Sequence, residues 1–188
     1  MSTTPLEDLI AMLNSHGKSA YFGESVSILE HSLQAAHSAE LAGAGPALVT
    51  AALLHDLGHM LHGLGEDIAG FGQDGMHEEL AADYLSRWFG EDVTAPIRLH
   101  VAAKRYLCAR SPGYLDALST ASRLSLQLQG GPMSEAEAEA FLNHKFARAA
   151  IQLRHWDDEA KVIGLTVPDA AHYLAVLRAA ASPLPPTT

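Results

Sequence analysis

One cysteine, Cys108, stands among 188 residues. No intrachain disulfide can form and no thiolate cluster can hold a metal, which fits a reducing cytosol. Basic residues are scarce as well: 12 Lys and Arg face 22 Asp and Glu, a formal charge of -10. That balance opposes the counterion release that favours nucleic-acid binding, so nucleic acid is disfavoured as a partner. Some of the carboxylates are better suited to facing bound cations. Long apolar runs are missing too. No stretch reaches the roughly 18 residues of a membrane span, and the opening "MSTTPLEDLI" has no basic segment leading into an apolar one. A soluble cytoplasmic protein with no membrane partner is expected. Aromatics make up only 6% of the chain, but 48% hydrophobic residues at this length still suffice for one sizeable core.

Strand-like alternation is also absent, and what replaces it is helical spacing. Val26, Leu29, Leu33 and Leu41 fall on one helical face, and Leu48, Leu53, Leu54, Leu57 and Leu61 on the next segment. "GAGP" from Gly43 to Pro46, Gly90, "SPG" from Ser111 to Gly113 and "QGGPM" from Gln129 to Met133 cut the chain into helix-length pieces. Ser134 and Glu137 form a capping box, and Pro168 with Asp169 opens a last helix before the tail "SPLPPTT". The expectation is an all-α fold: a single bundle of about seven or eight helices over residues 1–181, with 182–188 as a flexible tail.

Eleven histidines exceed what an average composition supplies. The clearest lie in helix-like surroundings: His31 in "LEHSLQ", His55 with Asp56 in "LLHDLGH", His77 in "GMHEEL" and His100 in "RLHVAAKRYL", joined by Asp157 in "RHWDDE". His55 and Asp56 interrupt an apolar run, so both sit near the core. A buried carboxylate costs several kcal/mol unless a partner compensates it, and a cation is a strong partner. Consecutive side chains on a helix diverge by about 100°, so other helices must complete any site. If Asp56 bridges through its two oxygens, four His and two Asp divide between two metal ions with positions left for water or substrate. Nitrogen and oxygen donors without sulfur suit Fe, Mn, Co or Zn.

The order His, His-Asp, Asp resembles the HD superfamily of metal-dependent phosphohydrolases, an all-helical fold. Over almost the whole chain, "YFGE", "LEHSLQ", "LLHDLGH", "HVAAKRYL", "QGGPM" and "RHWDDE" more specifically resemble the PhnZ-type phosphonate oxygenases of that superfamily. The resemblance implies a mixed-valence diiron enzyme that uses O2 to cleave the carbon-phosphorus bond of 2-amino-1-hydroxyethylphosphonate or its N-trimethylated analogue. Phosphate and glycine or glycine betaine would be the products. It further implies that His31, His55, Asp56 and Asp157 hold one iron, and that Asp56 bridges to a second iron held also by His77 and His100. Ser122 and His59 would contact the phosphonate or brace the ligands. Glu24 would take an iron position without substrate and then meet the substrate's cationic nitrogen, while Tyr21 closes over the site.

Spacing adds two cations. Lys104 follows His100 by one helical turn and Arg154 precedes Asp157 by three positions, so both share a face with a proposed ligand and suit a phosphonate. Arg105 points elsewhere and reads as a surface charge. A trimethylammonium would rely on charge and on aromatic or apolar contact from Tyr21, Phe22, Met60, Leu61 or Phe71, and on that ground the methylated substrate is slightly favoured. His62 reads as surface, and His16, His37, His144, His155 and His172 receive no role. Two other readings stay open on the ligand inventory alone: a two-metal phosphohydrolase acting on a small phosphate ester, and a metal-binding scaffold without turnover.

Overall fold

The computed structural model describes residues 4–17, 24–61 and 75–182. Among them lie eleven α-helices and no strand. They are α1 (Pro5–His16), α2 (Ile28–Leu41), α3 (Pro46–Leu54), α4 (Gly58–Leu61), α5 (His77–Leu85), α6 (Glu91–Arg110), α7 (Tyr114–Ala117), α8 (Thr120–Leu128), α9 (Glu135–Leu142), α10 (Ala147–Glu159) and α11 (Leu174–Ala180). The all-α class holds. The helix number exceeds the seven or eight expected, partly because α4 and α7 are four-residue turns too short to leave a periodic signal.

The punctuation works largely as the sequence suggests. Ser134 and Glu137 close their capping box at α9, and Ser27 with Glu30 forms a second one that fixes the start of α2 just ahead of His31. Gly113, Gly130 and Gly131 take the positive φ values that the turns after α6 and α8 require. Asp169 caps as expected, accepting from the His172 N–H, but its first turn is a 3-10 segment at Ala170–Tyr173 before α11 begins. The tail residues 183–188 lie outside the described residues.

Helices α2, α3, α5, α6 and α10 pack against one another around the core. Leu53, Leu54 and Leu57 are buried there, as are Leu13, Leu85, Ile97, Leu153 and Leu177. Each such side chain contributes about 1.5–3 kcal/mol, so the apolar surroundings of the His55-Asp56 pair offset the cost of burying it. Leu41 departs from expectation. It is 75% exposed, since it is the last residue of α2 and the chain turns away at Gly43. No helix among the described residues is long and apolar enough to cross a membrane.

Candidate metal centre

The six proposed ligands are delivered by five parts of this helical frame. His31 lies in the first turn of α2, His77 opens α5, His100 is central in α6, and Asp157 is near the end of α10. His55 and Asp56 sit just past the last residue of α3, in the turn that leads into α4. His55 keeps right-handed helical dihedrals, and the two neighbouring side chains still reach one point in the interior, with His55 Nε2 3.4 Å from Asp56 Oδ2; other helices complete the set, as expected.

All six groups meet in the interior, each less than 9% exposed. On one side, Asp56 Oδ2 faces His31 Nε2 at 3.5 Å and His55 Nε2 at 3.4 Å. Asp157 closes that side, with Oδ1 3.4 Å from His31 Nε2 and Oδ2 3.9 Å from His55 Nε2. On the other, Asp56 Oδ1 faces His77 Nε2 at 3.4 Å and His100 Nε2 at 3.7 Å. His59 belongs to this second group: its Nε2 is 3.9 Å from Asp56 Oδ1 and its ring stacks on His77 at 4.0 Å.

Ring orientation decides what these atoms can do. The Nδ1 atoms of His31, His55 and His100 donate to the carbonyls of Ala160, Ala52 and Ile97 at 2.9, 2.9 and 2.7 Å. A carbonyl only accepts, so Nδ1 carries the proton and the Nε2 lone pair of the neutral ring turns inward. His31 and His55 then bring Nε2 atoms to 3.2 Å, and His77 and His100 to 3.1 Å. For His31 and His55 the two lone pairs at that separation repel, whereas donors about 2.0–2.1 Å from one ion stand about 3 to 3.4 Å apart. The set fits a pair of cations with shared Asp56, and its nitrogen and oxygen composition suits Fe, Mn, Co or Zn.

Electrostatics keeps the donors in metal-binding form. Burial pushes His100 down to about 4, and it lowers His77 and His31 as well, so these imidazoles remain neutral at pH 7. Burial alone would raise Asp56, but the His55, His59, His77 and His31 rings outweigh it and hold the carboxyl well below its usual range. Asp157 is likewise lowered against the effect of burial, chiefly by Arg154 and then by His55, His31 and Lys161.

Arg154 is committed to that task. Its Nη1 donates to Asp157 Oδ2 at 2.8 Å, Nη2 donates to Asp158, and Nε donates to Tyr114 Oη at 3.0 Å and Asp158 Oδ2 at 3.2 Å. Tyr114 in turn donates to Asp158. Lys104 is 3% exposed and donates to Ser125 Oγ at 2.8 Å; burial pulls it down to about 7. Ser122, also buried, accepts at Oγ from Lys161 Nζ at 3.2 Å. Glu24 accepts from Ser119 and lies 3.4 Å from Lys161 Nζ. Tyr21, Phe22, His62 and Phe71 fall outside the described residues.

Arg105 does point away from the cluster, yet it is no free surface charge. Its Nε donates to the Gly131 carbonyl at 2.8 Å and Nη2 to Glu137 Oε1 at 2.9 Å, tying α6 to the "QGGPM" turn. Sequence reasoning missed Tyr114, Asp158, Lys161, Ser119 and Ser125. The serines had a signal, since Ser119, Ser122 and Ser125 recur every third residue along one face. Lys161 had none, because it lies beyond the end of α10 where helical spacing no longer applies. Gly58 also went unremarked. A methyl group there would overlap the backbone of His77, including its carbonyl oxygen, so this glycine lets the start of α4 touch the start of α5 and brings His77 to Asp56.

Comparison with known proteins agrees with this geometry. A hydroxymethylphosphonate dioxygenase of Gimesia maris is 46% identical over 177 residues, covering 92% of this chain and 88% of its own. A [1-hydroxy-2-(trimethylamino)ethyl]phosphonate dioxygenase (glycine-betaine-forming) of Leisingera caerulea is 37% identical over 173 residues, with the same coverage of 92% and 88%. An uncharacterized protein of Acanthamoeba polyphaga mimivirus is 36% identical over 167 residues, 88% of this chain and 76% of its own. The HD domain model matches residues 28–145, the span that carries His31, His55, Asp56, His77 and His100. The chain belongs to the HD-domain family, within which its similarity runs to phosphonate dioxygenases.

Proposed function

We propose that this protein is a diiron oxygenase that uses O2 to cleave the carbon-phosphorus bond of a small 1-hydroxyphosphonate. The observation that carries the reading is Asp56, whose two carboxylate oxygens face separate imidazole groups. The names of both dioxygenase relatives specify a hydroxyl on the carbon that bears phosphorus. We assign His31, His55 and Asp157 to one iron and His77 and His100 to the other, with Asp56 shared. His59 lies beside the second iron as a brace or additional donor. When bound, iron supplies one-electron exchange with O2 and a Lewis acid for substrate oxygens.

The residues of the chain bind and orient. Lys104, Ser122 and Ser125 offer a cation and two hydroxyls to a phosphonate. The sequence-level role of Arg154 as a phosphonate contact gives way to a positioning role, because its donors serve Asp157, Asp158 and Tyr114. The reaction balances without an outside reductant: R–CH(OH)–PO3H2 and O2 give R–COOH and H3PO4. The substrate provides all four electrons that O2 accepts, and both O2 atoms end in the products.

The test is oxygen dependence. Iron-loaded protein should release phosphate from a 1-hydroxyphosphonate with about one O2 consumed per phosphate, and release none under anaerobic conditions. Phosphate release without oxygen, or from simple phosphate esters, would instead support hydrolysis.

A further inference from the structure

Lys161 stands between two groups on the rim formed by α8. Its Nζ donates to Ser122 Oγ at 3.2 Å and lies 3.4 Å from Glu24 Oε1, the same oxygen that accepts from Ser119. The two side chains are only 16% and 15% exposed, so water screens their attraction weakly. The Lys161 charge also acts on Asp157 and Lys104. Through Ser122 this lysine joins the hydroxyl face of α8 that also carries Ser125, the partner of Lys104.

We infer that Lys161 neutralises Glu24 and so sets the substrate class: a short hydroxyphosphonate without a cationic nitrogen, of which hydroxymethylphosphonate is the simplest. This rests on the phosphonate oxygenase reading and deepens it. The argument is one of charge. A substrate ammonium or trimethylammonium loses water on entry and needs a carboxylate or an aromatic face in exchange. Glu24 is the acid that the sequence offers for that purpose, and its charge is already met by Lys161 and the Ser119 hydroxyl. A cationic substrate drawn to Glu24 would come to rest beside the Lys161 ammonium, and like charges across a poorly screened gap repel. A substrate carrying only hydroxyl and phosphonate meets Lys104, Lys161, Ser122 and Ser125 with no such conflict. On sequence grounds the cationic nitrogen meets Glu24 or an aromatic face, and for the carboxylate Lys161 is the competitor.

Two measurements test this on the full chain. In the first, kcat/KM for phosphate release under O2 is compared for hydroxymethylphosphonate, 2-amino-1-hydroxyethylphosphonate and its N-trimethylated analogue. The protein should favour hydroxymethylphosphonate by at least about tenfold, Lys161→Met should move the ratio at least about tenfold toward the cationic substrates, and Lys161→Arg should keep it. In the second, anaerobic calorimetry follows binding of the unreactive methylphosphonate and 2-(trimethylamino)ethylphosphonate. Lys161→Met should weaken the former and strengthen the latter. Should Lys161→Met fail to fold, as judged by circular dichroism, Glu24→Gln replaces it: the exclusion of cationic ligands should then persist or deepen.

A preference of the unmodified protein for a cationic substrate, or ratios that Lys161→Met leaves unchanged, would overturn the inference. For Glu24→Gln, improved binding of cationic ligands would do the same. Absence of phosphate from all three compounds would sink the oxygenase reading, while the binding measurement would still decide the charge argument.

Discussion

His31 Nε2 and His55 Nε2 lie 3.2 Å apart in the interior, and each ring donates its Nδ1 proton to a carbonyl, that of Ala160 and that of Ala52. Facing nitrogens of this kind destabilise a fold until an ion separates their lone pairs. Metal removal should therefore lower the melting temperature, and iron should restore it. Binding to the folded state alone adds about 4 kcal/mol at a thousandfold excess of ion over its dissociation constant. Asp56→Asn should forfeit most of this gain. Calorimetric melting with and without a chelator measures the difference, and equal melting temperatures would contradict the metal assignment.

Gly58→Ala should uncouple the second ion from the first. The added methyl overlaps the His77 backbone, so α5 must shift. Overpacking of this kind costs about 1–3 kcal/mol. Bound iron per chain should fall from about two toward one, with His31, His55 and Asp157 still competent. Metal analysis together with the melting temperature reads both effects, and two retained irons would show that the close approach is dispensable.

Tyr114→Phe and Asp158→Asn should loosen Arg154, and through it Asp157. Neither residue touches the other proposed ligands in the described contacts, yet both hold the guanidinium that orients a ligand carboxylate. Changes of this type typically cost about 10- to 100-fold in metal affinity. Iron titration against a competing chelator would measure that loss, with substrate affinity much less affected.

As the proposed phosphonate contact, Lys104 should make binding sensitive to pH. Burial pulls its ammonium down to about 7, from an ordinary value near 10.5. The sign follows directly. Below about 7 the folded protein presents a cation to the anion, and above it the charge is lost, so affinity should fall as pH rises through neutrality. The substrate's own titration is common to both proteins in a comparison with Lys104→Met, whose affinity should be lower and lack this alkaline decline. Parallel pH profiles would remove the anion role. The same displacement affects stability. Between about 7 and 10.5 the unfolded chain holds a proton that the folded chain lacks, so stability of the ligand-free protein should rise with pH across that interval.

Much of the metal cluster was legible because helical spacing and burial leave few alternatives for an acid such as Asp56. An apolar run interrupted by His-Asp demands compensation wherever it folds, and the structure gathers His31, His77, His100 and Asp157 around it. What spacing could not supply was anything beyond helix ends. Lys161 pairs with Glu24 across 137 positions from a segment with no periodicity, and Tyr114 reaches Asp158 from a single helical turn. Such contacts depend on how helices dock. For Arg154 the face shared with Asp157 was legible but its partners Asp158 and Tyr114 were not, since proximity to Asp157 in sequence says nothing about which oxygens a guanidinium chooses.

The proton that His55 donates to Ala52 and the one that His100 donates to Ile97 have a further consequence. Each acceptor belongs to the main chain three residues earlier, so the rings are tethered to the frame itself and have little rotational freedom to surrender when an ion arrives. Withdrawal and return of a bound ion would then be reversible events within one folded shape, and a depleted molecule would be recharged without being made again.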